Sequence, residues 1–95
     1  MEFKIRKATR EDMPAVLELI QELAEFEKEP DAVIISAEDL KRDGFGTNPA
    51  FTCFVAEAAG KIEGMALCYF RYSTLKGKTV HLEDLVVREN MRGKG

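Results

Sequence analysis

The pattern of apolar and polar positions in the first third of the chain predicts a strand followed by a helix. Residues 3–6 alternate apolar and polar side chains, which is typical of a short, half-buried strand. From Met13 to Ala24 the apolar residues recur at helical spacing, which predicts an amphipathic helix ending near residues 26–27. Thr9, with Asp12 three residues later, is a candidate cap for the start of this helix.

The pattern changes period in the second half of the chain. A shorter helix is predicted from Ala37 to about Asp43, with Ser36 as its N-cap and Gly44 as its stop. After this helix, the spacing of apolar residues is that of strands. We predict three strands, over residues 51–58, 62–72 and 80–87, joined by short turns.

The predicted element order is β-α-α-β-β-β, which indicates an α+β fold in a single domain spanning residues 1–95. Strands joined by short turns favour a mainly antiparallel sheet. Residues 65–70, and the fourth strand after residue 84, are apolar on both faces and are expected to be covered on both. Two helices cannot cover both faces of four strands, so we expect further elements after Gly95 or a second chain.

Composition narrows the classes of function. The 95 residues are 45% hydrophobic and 33% charged, which is an ordinary soluble composition. A net charge of −3 argues against general nucleic-acid binding. No apolar run approaches a membrane span, and the N-terminus lacks a signal-peptide core. Cys53 and Cys68 lie in apolar strands without metal-type spacing, so we expect reduced cysteines, no metal and a cytoplasmic location.

The fourth strand carries two adjacent acids, Glu83 and Asp84. A carboxylate among apolar neighbours has a raised pKa, which suits a general base near neutral pH. The alternative is that one acid pairs across the sheet with Arg71 or Lys78. His81 is more typical of a packed or surface residue than of a catalyst. Unless a bulge intervenes, strict alternation predicts one face with His81, Glu83, Leu85 and Val87, and another with Val80, Leu82, Asp84 and Val86.

A basic, glycine-spaced segment follows this strand. Arg88, Arg92 and Lys94 place three positive charges within seven residues. Gly93 and Gly95 let the backbone approach a ligand closely. A strand that feeds such a loop is suited to binding a pyrophosphate.

Taken together, these segments resemble the GCN5-related N-acetyltransferase (GNAT) superfamily, and within it the spermidine/spermine (diamine) N-acetyltransferase branch. IRKATREDMPAVLELIQELAEFE is similar to the opening helix of that branch, EDLKRDGFG to its second helix and loop, and HLEDLVV to its fourth strand. Arg92-Gly93-Lys94-Gly95 is similar to the first four positions of the motif Arg/Gln-x-x-Gly-x-Gly/Ala. The resemblance covers nearly the whole chain.

The resemblance implies acetyl transfer from acetyl-CoA to a primary amine of a polyamine, diamine or similar small amine. Glu83 matches the glutamate that removes the amine proton, through water. Leu85, Val86 and Val87 match the segment whose backbone binds the pantetheine arm. The cofactor-binding residues of the phosphate loop would be Arg92, Gly93, Lys94 and Gly95.

On the amine side, Phe26 and Glu27 match an aromatic–acid pair that contacts the substrate, and Asp84 matches a second acid lining the amine channel. The branch implies a homodimer in the full-length form. The tyrosine that protonates the leaving thiolate in the family would lie beyond Gly95. We therefore expect an N-terminal part of the fold, truncated inside the pyrophosphate loop, and weakly active or inactive alone.

Two other functions are compatible with the sequence. A sheet with an exposed edge and exposed apolar faces suits a non-catalytic interaction module, or a half-domain that pairs with itself. A small protein that binds CoA or nucleotide phosphates without chemistry is the third hypothesis. Replacement of Glu83 separates this binder from an enzyme, because only an enzyme would lose turnover.

Overall fold

The computed structural model describes residues 3–88, so the predicted phosphate-loop residues Arg92, Gly93, Lys94 and Gly95 lie outside the described part of the chain. The elements follow the predicted order and form an α+β fold. Short 3-10 turns at Arg10–Asp12 and Pro30–Ala32 accompany the helices. The helices and strands are β1 (Lys4–Lys7), α1 (Met13–Phe26), α2 (Ala37–Gly44), β2 (Thr52–Ala58), β3 (Lys61–Ser73) and β4 (Gly77–Val87).

A buried ion pair connects the start of α1 to the first two strands. The carboxylate of Asp12 accepts two hydrogen bonds from the Arg6 guanidinium, at 2.7 and 3.0 Å. It also accepts from the backbone N–H of Thr9 at 2.7 Å, which satisfies a donor at the helix start. Arg6 Nε in turn donates to Glu57 on β2 at 2.9 Å. The predicted pair of Thr9 and Asp12 is therefore present and extends into the sheet.

The four strands form one antiparallel sheet in the order β1-β2-β3-β4. The last three strands form the predicted meander, and β1 joins at the edge beside β2. One face of this sheet packs against α1 and holds the core. The main residues of this core are Met13, Val16, Leu19, Val55, Met65, Leu67 and Val86.

The opposite face of the sheet is open in the described part of the chain. It carries large apolar side chains that remain exposed, namely Ile5, Phe54, Phe70, Val80, Leu82, Leu85 and Val87. A groove of about 270 Å³ runs along it. The two helices therefore leave one face of β3 and β4 uncovered within residues 3–88, as the sequence predicts for so few helices. Whether further chain covers that face stays a prediction.

Gly44 differs from its predicted role. It is the last residue of α2, with Phe45 as the C-cap, rather than the residue after the helix. The structure explains the glycine by packing instead. A Cβ atom at this position would lie 2.3 Å from Cζ of Phe51, so a larger residue would displace the ring.

Candidate active site

A β-bulge in β4 reshapes the predicted site. Leu67 of β3 pairs with Asp84, but the next residue, Cys68, pairs with Leu82, which leaves Glu83 as the extra residue. Tyr69 shares a face of β3 with Leu67, and it pairs with His81. Asp84 and His81 therefore point to the same side although they are three positions apart.

The bulge overturns the predicted distribution of side chains between the two faces. Glu83 lies beside His81, with 3.8 Å between Oε1 and Nε2. Val86 is 2% exposed and belongs to the core against α1. The side facing α1 thus carries His81, Glu83, Asp84 and Val86, and the open side carries Val80, Leu82, Leu85 and Val87. Both acids therefore reach one side of the sheet, which strict alternation forbids.

Burial and neighbouring acids act together on Asp84. Partial burial raises the pKa of this carboxyl group above its usual range, and the negative charges of Glu83 and Glu27 raise the pKa further. Glu83 itself remains accessible, with a side chain that is 54% exposed. The site thus combines one half-buried acid with one that is open to substrate.

The alternative of pairing across the sheet is not seen among residues 3–88. Neither Arg71 nor Lys78 forms an ion pair with Glu83 or Asp84 there, and the ammonium group of Lys78 lies 4.5 Å from the ring centroid of Phe70. Neither acid is therefore paired with Arg71 or Lys78 in this part of the chain.

The end of α1 brings the predicted amine-side pair toward these acids. Phe26 is the last residue of the helix and is 68% exposed, and Glu27 is its C-cap. The negative charge of Glu27 contributes to the raised pKa of Asp84, so the end of α1 acts electrostatically on the site. Glu27, Glu83 and Asp84 are thus linked by their charges.

Beyond the bulge, β4 is the edge strand of the described sheet. The backbone N–H of Arg88 donates to the carbonyl of Glu63 on β3 at 2.7 Å. Because backbone groups alternate along a strand, the N–H groups of Leu85 and Val87 then point away from β3. This outer edge of β4 is where the sequence predicts pantetheine binding.

Arg88 has a different role from the one predicted. Its guanidinium turns back toward three carboxylates, at 3.6 Å from Glu63, 3.8 Å from Glu22 and 3.9 Å from Glu18. It also donates to the carbonyl of Ile62 at 3.3 Å. This side chain therefore fastens β4 to α1 and β3 rather than adding its charge to a phosphate loop. No sequence pattern identified this cluster, since its members are far apart along the chain.

The described residues include no group of three or more His, Cys, Asp or Glu side chains that could hold a metal ion. In the same part of the chain, no helix is both long and apolar enough to cross a membrane. The thiol of Cys53 is buried in the core, and burial raises its pKa to about 12. This thiol is therefore unsuited to act as a nucleophile.

The sequence of the chain matches the acetyltransferase (GNAT) family over residues 13–95. The chain therefore belongs to this family. It is 46% identical over 99 residues to the thialysine N-epsilon-acetyltransferase of Bos taurus, an alignment that covers 96% of this chain and 58% of that protein. It is 44% identical over 100 residues to the human spermidine/spermine N(1)-acetyltransferase-like protein 1, covering 98% of this chain and 14% of that protein.

Solved structures with the same fold include known acetyltransferases. A possible acetyltransferase from Clostridium difficile 630 has a TM-score of 0.75 at 17% identity, covering all of this chain and 63% of the other. Glucosamine-6-phosphate N-acetyltransferase from Arabidopsis thaliana has a TM-score of 0.64 at 28% identity, covering 99% of this chain and 65% of the other. The predicted superfamily and fold class are thereby confirmed.

The raised pKa of Asp84 predicts a pH-dependent gain in stability for Asp84→Asn. The pKa of Asp84 is higher in the folded state than in the unfolded state, so this group stabilises the fold at a pH below its unfolded-state pKa, where it is protonated in both states. This contribution to stability is lost as the pH rises through the folded-state pKa. Asparagine stays neutral at all pH values. We expect Asp84→Asn to raise Tm modestly at pH 7 and to lose this advantage near pH 3, as measured by thermal unfolding.

Asp31→Asn is the matched control, because this residue is exposed in a short turn. It should leave Tm unchanged at both pH values. A lower Tm for Asp84→Asn at pH 7 would contradict the account of Asp84 given above.

Proposed function

We propose that this protein is an acetyl-CoA-dependent N-acetyltransferase that acts on the primary amine of a small diamine, polyamine or similar compound. The observation that carries the proposal is the bulge at Glu83. It turns both acids of β4 toward the side of the sheet where α1 packs, next to the outer backbone edge of the same strand. A proton acceptor and a binding edge for an extended acyl donor are thus adjacent.

In this proposal Glu83 is the general base. An amine is protonated at neutral pH and must lose a proton before its lone pair can attack. The carboxylate of Glu83 accepts that proton, directly or through one water molecule. The nitrogen then forms a bond to the thioester carbonyl carbon and the carbon–sulfur bond breaks. The nitrogen gives up a second proton to become the amide, and the leaving CoA thiolate takes up a proton to become the thiol.

The edge of β4 provides the second part of the site. The outward N–H group of Leu85 is proposed to hydrogen-bond the pantetheine arm as an added strand would, with Val87 as the second predicted contact. One of them would also stabilise the negative charge that develops on the thioester oxygen. Val86, whose side chain is held in the core, fixes the strand that carries these groups. The predicted residues Arg92 to Gly95 would bind the pyrophosphate.

The acids around the site favour an amine with more than one positive charge. Three carboxylates, those of Glu27, Glu83 and Asp84, are close enough for two of them to raise the pKa of the third. A second cationic group on the substrate would relieve this repulsion, which a monoamine cannot do fully. The names of the relatives, thialysine and spermidine/spermine acetyltransferases, support the same class of substrate. Phe26 is proposed to contact the aliphatic part of this amine.

The chain spans about 58% of the length of the thialysine acetyltransferases that it matches. We propose that it forms the N-terminal part of the catalytic domain. The open apolar face of the sheet supports this, because a face with Phe54, Phe70 and Leu85 exposed is suited to be covered by further chain. A homodimeric full-length form and a cytoplasmic location are part of the same proposal.

A second candidate function is favoured by that same open face. With β4 as the edge strand of the sheet in residues 3–88 and one apolar sheet face exposed, the chain could act as a non-catalytic interaction module, or pair with its own copy. Sedimentation over a dilution series tests this: concentration-dependent association of the 95-residue chain, with no acetyl transfer by any longer product of the gene, would favour the second function.

Acetyl transfer is tested by measuring CoA release from acetyl-CoA with thialysine, spermidine and, as a monoamine control, butylamine. We expect the complete gene product to use the two multiply charged amines with a kcat/KM at least tenfold higher than for butylamine, a difference of about 1.4 kcal/mol. We expect the 95-residue chain alone to be weakly active or inactive. Robust turnover by this chain would contradict the proposal that it is only part of the domain.

A further inference from the structure

His81 lies beside the proposed base, and both side chains reach solvent. Its Nε2 atom is 3.8 Å from Oε1 of Glu83, and its side chain is 39% exposed. Its ring packs against that of Tyr69, with centroids 5.1 Å apart. The imidazole is thus held beside the carboxylate on one side and reaches water on the other. The 3.8 Å gap is longer than a hydrogen bond, so a small rotation of Glu83 or one water molecule must close it.

The β-bulge places Glu83 and Asp84 on the same side of β4 as His81. Without it, successive side chains of β4 would alternate, and Asp84 would be directed away from His81 and Glu83. The charged and titratable groups that face His81 come from three elements. They are Glu83 and Asp84 on β4, Tyr69 and Arg71 on β3, and Glu27 at the end of α1.

We propose that His81 is a positioning residue for Glu83 that also relays its proton to solvent, an inference that rests on the proposed function. The amine nitrogen gives its proton to the Glu83 carboxylate. The resulting carboxylic acid passes this proton to Nε2 of neutral His81, which forms an imidazolium and restores the carboxylate. The imidazolium then releases the proton to water, so no oxidant or further reactant is needed. Histidine suits this step because its ordinary pKa lies near neutrality.

The experiment compares His81→Ala and His81→Gln in the complete gene product, with acetyl-CoA and thialysine or spermidine as substrates. We expect kcat to fall about tenfold at pH 7.5, at the low end of effects on proton transfer, with KM for acetyl-CoA unchanged. Imidazole added to the buffer should restore at least a third of the activity of His81→Ala, in proportion to its neutral form. In a Glu83→Gln background, His81→Ala should cause no further loss.

Thr79→Ala is the matched control, since Thr79 lies two residues earlier on β4 and its hydroxyl donates only to the carbonyl of Arg71. It should keep wild-type kcat and show no response to imidazole. The relay is overturned if both His81 variants keep wild-type kcat, or if their loss is insensitive to imidazole and persists in the Glu83→Gln background. A wild-type protein that transfers no acetyl group would instead overturn the proposed function, and the relay with it.

Discussion

Glu83→Gln in the complete gene product is expected to lower kcat by about 10²–10³-fold, with little change in KM for acetyl-CoA. General bases contribute roughly 10²–10⁴-fold to proton-transfer steps. Glutamine keeps the size and polarity of the side chain but cannot accept the amine proton. Because the Glu83 side chain is 54% exposed and its nearest charged partner among residues 3–88 is His81 at 3.8 Å, its replacement should leave the fold intact. Steady-state kinetics with thialysine or spermidine, together with thermal unfolding, measure both effects.

Two comparisons make this test specific. Glu38→Gln on α2 is the matched control, because its carboxylate is 82% exposed and pairs only with Lys41 on the same helix. It should keep wild-type kcat. A raised pH should recover part of the Glu83→Gln activity, since more of the amine is then already deprotonated. Unchanged kcat in Glu83→Gln would remove this residue as the base and favour a CoA-binding protein without chemistry.

Asp12→Ala is expected to have the largest effect on stability, lowering the free energy of unfolding by about 2–4 kcal/mol. The carboxylate is 8% exposed and accepts hydrogen bonds from Arg6 and from Thr9. Its removal leaves the guanidinium with Glu57 as its remaining carboxylate and frees a backbone donor at the helix start. Urea unfolding followed by circular dichroism measures the change.

Asp39→Ala tests whether burial is the cause of the large loss of stability expected for Asp12→Ala. Asp39 accepts from the Ser36 backbone at 2.9 Å, so it repeats the capping role of Asp12 on an exposed helix. We expect a much smaller loss, because solvent can replace the lost contacts at the surface. Equal losses for the two variants would contradict the view that the buried connection to β1 and β2 accounts for the larger effect.

The same residue sets a pH dependence of stability. The Arg6 guanidinium lowers the pKa of Asp12 from 3.8 to about 2. Because the pKa of Asp12 is lower in the folded state than in the unfolded state, this group stabilises the fold at a pH above its unfolded-state pKa. This contribution is lost as the pH falls through the folded-state pKa. Between pH 5 and pH 2 the wild type should therefore lose about 1–2 kcal/mol that Asp12→Ala does not lose.

The open face of the sheet is the reason for expecting low activity from the 95-residue chain alone. Its exposed residues include Phe70, Leu82 and Leu85 on the two strands that carry the site. These two strands are uncovered on this face in residues 3–88. We therefore expect low activity from the 95-residue chain alone. Covering the face would also stabilise β4, whose outer edge is the proposed binding edge for acetyl-CoA.

The sequence by itself determined the element order, the family and most of the candidate residues. Apolar periodicity depends only on near neighbours along the chain, so α1 ends at Phe26 and β4 ends at Val87, where the pattern predicted. The same local logic identified the capping pair of Thr9 and Asp12. The residues of Glu83 to Val87 were recognisable because they are contiguous.

Only the tertiary structure decided how these residues face one another. A bulge is a mismatch in register between two strands, and nothing in the sequence of β4 alone shows which residue of β3 lies opposite Glu83. The same holds for Arg88, whose carboxylate partners come from α1 and β3, and for Gly44, which makes room for Phe51. Contacts between distant segments depend on packing, and packing placed His81, Glu83 and Asp84 on one side of the sheet.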